Sequence, residues 1–205
     1  MQQARKSNDE VNGMPTGKPS VRDRLIEEGL IELNLYGIND FSVRRIAAAC
    51  GVSCAAPYKH FANKNEFIAA IIEYGNSLWG IRQRRVIAEH PGSTHEQLLF
   101  ICRDYILFLV ENPYFRSVLM SKDKSFDAEY LKLKSRLSET TYRLVIRYCN
   151  EVNMPENVSR IKLFVVRSLL YGAAMMIDNG EMPNTPEILD EIVAMIDREF
   201  HLPWE

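Results

Sequence analysis

The sequence has little of what marks a catalyst, a secreted scaffold or a membrane protein. Four cysteines in 205 residues (Cys50, Cys54, Cys102, Cys149) form no C-x-x-C pair and no framework spacing. That pattern argues against a disulfide scaffold or a cysteine zinc site and, with no signal-peptide pattern, predicts a reducing, cytoplasmic setting. The longest apolar stretch, 97–110, is interrupted by Arg103 and Asp104 and is too short to cross a bilayer, so no membrane partner is expected. G-x-S-x-G, a phosphate-binding glycine loop and H-E-x-x-H are absent. His90, His95 and His201 fall near predicted helix ends or the terminus, without a carboxylate pattern that points to catalysis. The chain is therefore read as no enzyme, with no cofactor and no metal. An excess of one charge is also missing: 25 Lys and Arg against 27 Asp and Glu give a net charge of −2, which argues against a uniformly basic nucleic-acid binder.

What is present is helical. A 46% hydrophobic and 25% charged composition supports an ordinary core, and no alternating pattern is long enough to specify a strand. Residues 1–19, with Gly13, Pro15, Gly17 and Pro19, read as a flexible tail. Ser20 caps a first helix that ends at Gly37, and Ser42 caps a second that ends near Cys50 and Gly51. Ser53 is expected to cap a short third helix. Asn63, with Glu66 three residues on, starts a long fourth that runs to about Glu89. Five more are expected near 94–111, 113–120, 125–152, 156–179 and 185–200, for about nine in all. The predicted class is all-α: a three-helix helix-turn-helix domain over 20–66, then a larger bundle over 67–205.

The charge is not evenly spread. From Phe41 to Lys64 there are four basic residues (Arg44, Arg45, Lys59, Lys64) and His60, and no acid; this is the local footprint of a DNA-reading surface. The same stretch supplies the parts of a helix-turn-helix. Ile46 and Ala47 face inward, Ala48 and Ala49 allow close helix contact, Gly51 takes the turn and Val52 plugs the interior. In order and spacing, Ile46-Ala47, Gly51-Val52-Ser53, Tyr58-Lys59-His60-Phe61, Lys64 and Phe67 resemble the signature of the TetR (tetracycline-repressor-like) family of transcriptional regulators. One departure is Pro57, which falls inside the short reading helix and removes a backbone donor, so distortion is expected there.

The resemblance implies that Ser42, Tyr58, His60 and Lys64 hold DNA phosphates; His60 could equally bond within the domain. Arg44 is a candidate for a guanine edge or for a phosphate. Ser53, Cys54, Ala55 and Ala56 would open the reading helix, small enough to sit deep on thymine methyls, with Lys59 adding polar discrimination. Cys54 could in principle respond to oxidation, although a lone thiol is more often inert.

In the C-terminal half, the last two helices carry more apolar surface than one core contact needs, which predicts a homodimer through them. The expected partner is a double-stranded, pseudo-palindromic operator with half-sites about 34–36 Å apart. The family resemblance further implies a small-molecule effector in this half, most simply an apolar one that releases a repressor from its operator. Trp79, Tyr105, Phe108, Tyr142, Met175 and Met176 are candidate lining residues, each with ordinary core packing as the alternative.

Overall fold

The computed structural model describes residues 19–120 and 128–201. They form eight α-helices: α1 (Val21–Tyr36), α2 (Val43–Ala49), α3 (Lys64–Glu89), α4 (Thr94–Glu111), α5 (Pro113–Met120), α6 (Ala128–Glu151), α7 (Glu156–Asp178) and α8 (Pro186–His201). No strand occurs among them. The tail expected over 1–19 lies, apart from Pro19, outside the described residues, as do 125–127 at the start of the seventh expected helix. One of the nine expected helices, the third, is the exception. Where a third α-helix was expected from Ser53, the chain makes turns and a single 3₁₀ turn, Pro57–Lys59.

The helix limits follow from local chemistry. Ser20 and Ser93 each form a capping box, with Asp23 and Glu96 respectively reaching back to the cap backbone. Asn63 Oδ1 accepts the Glu66 N–H at 2.9 Å, while Glu66 Oε2 accepts the Ala62 N–H at 2.6 Å. α2 ends in a Schellman closure: Gly51 takes φ +66°, its N–H bonds Ala48 C=O, and the Val52 N–H reaches Ala47 C=O, both at 3.0 Å.

Two packing units share one helix. α1 and α2 close over the N-terminal end of α3 around Phe41, Phe61 and Phe67, with Phe61 stacked on Phe67 at 4.2 Å. At 26 residues, α3 is about 39 Å long and runs unbroken through 66–67 into the bundle. There α4 is central, packed on α3, α6, α7 and α8. α5 passes under α1: Asn34 Oδ1 accepts the Tyr114 N–H at 3.1 Å. It also reaches α7, where Arg116 pairs with Asp178 and donates to Ala174 C=O. Gly75 on α3 makes room for α5, because a Cβ there would lie 1.7 Å from Phe115 Cζ. No helix among the described residues is long and apolar enough to cross a membrane.

Candidate nucleic-acid interface and the C-terminal cavity

Glu32 fixes the start of α2. Its carboxylate, 6% exposed, accepts the Ser42 N–H at 2.9 Å and Arg45 Nε at 2.9 Å, and a second Arg45 nitrogen pairs with it. Arg45 also donates to Asp40 C=O and lies 4.3 Å from the Tyr36 ring. Of the basic residues in this stretch, Arg45 is thus committed to holding α2 against α1. Arg24 adds a bond to Cys50 C=O at 3.2 Å at the other end of α2. Ser42 Oγ accepts the Arg45 N–H at 3.3 Å, which leaves its hydroxyl proton able to donate outward.

The segment after Gly51 departs from the expected helix because of Pro57. A proline has no N–H to give to Ser53 C=O, so that carbonyl takes the Ala56 N–H at 2.9 Å instead, and the chain tightens. His60 and Phe61 N–H both return to Pro57 C=O, at 2.9 and 3.0 Å. Ser53 caps nothing with its side chain, and the residue before the 3₁₀ turn is Ala56. Pro57 itself is buried, whereas Ser53, Cys54, Ala55, Tyr58, Lys59 and His60 are exposed and Ala56 is half-buried. Arg44 is exposed on the neighbouring α2, and Lys64, the first residue of α3, sits 5.7 Å from the Phe41 ring. The expected reading residues therefore lie on one exposed loop-and-turn and the helix starts beside it. Ala48 and Ala49, expected at a close helix contact, are exposed; Ile46 and Ala47 are buried. Cys54 is the exposed thiol, and Cys50, Cys102 and Cys149 are buried.

The candidate effector residues divide. Trp79, Tyr105 and Phe108 are buried and packed on one another, with ring centroids 5.0 and 5.1 Å apart. Tyr105 and the exposed Tyr142 line one cavity of about 350 Å³ between α4, α6 and α7, together with Thr141, Val145, Val166 and Leu170. Arg143 and Arg167 also border it. Burial pushes the Tyr105 phenol well above its usual range, and neighbouring Tyr171 adds to this. Thr141 Oγ1 is buried there without a hydrogen-bond partner among the described residues. Met175 and Met176 are not on this cavity; each is 41% exposed on α7. Residues missed by the sequence reading include Thr141, Leu163, Val166 and Arg167, which carry no local motif.

Residues 25–71 match the bacterial regulatory proteins of the tetR family. This N-terminal segment is thus similar to the DNA-binding part of the tetR-family regulators. A curated relative, the nucleoid occlusion factor SlmA of Aliivibrio fischeri (strain MJ11), is 24% identical over 133 residues, which cover 64% of this chain and 66% of that protein. The match thus spans slightly less than two thirds of the relative's length. Among solved structures, the transcriptional regulator FadR of Bacillus subtilis in complex with stearoyl-CoA superposes with a TM-score of 0.70 at 12% identity, covering 86% of this chain and 97% of that one. AibR in complex with isovaleryl coenzyme A and operator DNA gives 0.66 at 19%, covering 86% and 98%. At these identities the likeness concerns the fold.

Proposed function

We propose that this protein is a TetR-family repressor that binds a pseudo-palindromic operator as a homodimer and leaves it when a small, largely apolar effector enters the C-terminal half. The observation that carries the reading is the exposure of Arg44, Tyr58, Lys59 and His60 beside Lys64, in a segment with no acid from Phe41 to Lys64, braced from behind by Glu32 and Arg45. Tyr58, His60, Lys64 and Ser42 hold phosphates and set the register, Arg44 touches a base edge, and Ser53, Cys54, Ala55 and Ala56 face the groove. Dimerisation uses α7 and α8, whose Ile161, Phe164 and Met195 are 59%, 71% and 43% exposed and would be buried against a second copy.

The effector cavity is the one between α4, α6 and α7. Its walls are mostly apolar, Thr141 offers a hydroxyl, and Arg167 could meet an anionic head group, whereas Arg143 on the rim is paired with Glu139. An acyl thioester has that combination, and FadR and AibR were each solved with one. Displacement of α7 would reach the reading head through Asp178 and Arg116 to α5, and through Tyr114 and Asn34 to α1. A coupling of about 1–3 kcal/mol is enough for release. The test is anisotropy with duplexes selected from a random pool. Tyr58→Ala and Lys64→Ala should weaken binding to every sequence and Arg44→Ala should also shift base preference, with a steep loss of affinity as salt rises. An acyl-CoA series should then release the wild type. No binding at low salt would refute the reading, and equal selectivity in wild type and Arg44→Ala would remove the role given to Arg44.

A further inference from the structure

Three side chains converge where the first turn of α4 meets the last turn of α8. His95 Nε2 stands 2.5 Å from Asp197 Oδ1, and His201 Nδ1 stands 3.3 Å from the same oxygen. One donor atom from each residue lies within 4.8 Å of the other two. Asp197 and His201 are four apart on α8 and share a face, whereas His95 is 102 residues from Asp197 in the chain. The pairing is unusual within this molecule. The other acids that form ion pairs among the described residues meet an arginine or a lysine, and Asp197 meets two histidines. One side of the cluster is walled by Tyr148 and Phe200, with ring centroids 4.7 and 6.3 Å from that of His95. The other side opens outward, as the side chains of His95, Asp197 and His201 are 20%, 39% and 63% exposed.

We propose that His95, Asp197 and His201 bind a divalent transition-metal ion, zinc by preference, that ties α8 to α4. Two imidazoles and one carboxylate suit zinc and its first-row neighbours, and not magnesium or calcium, which take all-oxygen sets. Around a tetrahedral zinc ion with ligands at about 2.0–2.1 Å, donor atoms stand about 3.4 Å apart. The present spacings reach that arrangement if His95 and Asp197 part slightly and the exposed His201 ring swings inward. Water fills the remaining position from the open side. No spacing in the sequence announces the cluster, which is why the expectation of no metal arose.

The test uses the full chain, stripped with a chelator and titrated with zinc chloride alone by calorimetry, with Tm and cobalt(II) absorption followed in parallel. One ion per chain, a raised Tm and a cobalt spectrum without thiolate charge transfer are expected. His201→Ala and Asp197→Asn alter an exposed ring and an isosteric carboxamide, so circular dichroism should stay unchanged. Each should weaken zinc binding at least about tenfold, since even outer partners of metal ligands carry 10–100-fold. His90→Ala, outside the cluster, should bind zinc as the wild type does. No heat and no Tm rise with zinc would overturn the proposal, and so would unchanged affinity in both variants or a thiolate spectrum with cobalt.

Discussion

Replacing Glu32 tests whether one buried carboxylate holds the reading head in shape. In Glu32→Ala the Ser42 N–H at the start of α2 loses its acceptor, a loss of about 1–3 kcal/mol for a buried donor. The one side-chain methylene removed from the interior, Cγ, adds about 0.8 kcal/mol. Arg45, whose side chain is 48% exposed, recovers its contacts from water and adds nothing to the sum. The expected destabilisation is about 2–4 kcal/mol in urea unfolding followed by circular dichroism. Glu32→Gln keeps the stem and an acceptor for Ser42, so its loss should be about 1 kcal/mol, the net value of an ordinary hydrogen bond. The two variants should rank the same way in duplex binding, because Ser42 and Arg44 ride on the helix that Glu32 positions. A Glu32→Ala protein with wild-type stability and wild-type affinity would refute this reasoning. Equal losses in the two variants would show that charge, and not the Ser42 acceptor, is what matters.

Gly75→Ala drives a methyl group into the Phe115 ring and should cost about 1–3 kcal/mol as overpacking; Phe115→Leu in the same chain should recover part of it, measured by urea midpoints. Burial pushes the Cys102 thiol from 9.0 up to about 12. Its neutral form is thus favoured on folding, and its contribution, complete below pH 9, is lost as pH rises toward 12. The wild type should accordingly lose stability above pH 9 faster than Cys102→Ala, as read from unfolding midpoints on either side of that pH. With a thiol reagent under native conditions, Cys54 should react at once while Cys50, Cys102 and Cys149 wait for unfolding; early labelling of a second thiol would contradict the burial pattern.

Helix limits were legible because they depend on neighbours in the chain. Ser20, Ser42, Asn63 and Ser93 cap helices through atoms three residues away, and Gly37 and Gly51 end them at positive φ; caps and glycines can be read without knowing the fold. The third helix failed for a reason equally local but opposite in effect. Pro57 was expected to distort the segment, yet the lost bond to Ser53 C=O reduces it to turns and a single 3₁₀ turn. The reading residues are nonetheless exposed there. The cavity was only partly visible: Tyr105 and Tyr142 line it, Trp79 and Phe108 pack behind Tyr105, and Met175 and Met176 face outward. Helical periodicity gives the apolar faces of α4 and α7 but not which of those faces meets which neighbour.

By itself the amino-acid order settled an all-helical chain, most of its helix ends and a basic, acid-free reading segment, since each rests on interactions within a few residues. Tertiary packing alone decided that Arg45 is bound by Glu32, that Thr141 opens onto a cavity, and that His95 meets Asp197 and His201. Those pairings join residues brought together by helices crossing at particular angles and depths. The crossings are set by side-chain shape at contacts such as Gly75 with Phe115, and a linear pattern does not encode them.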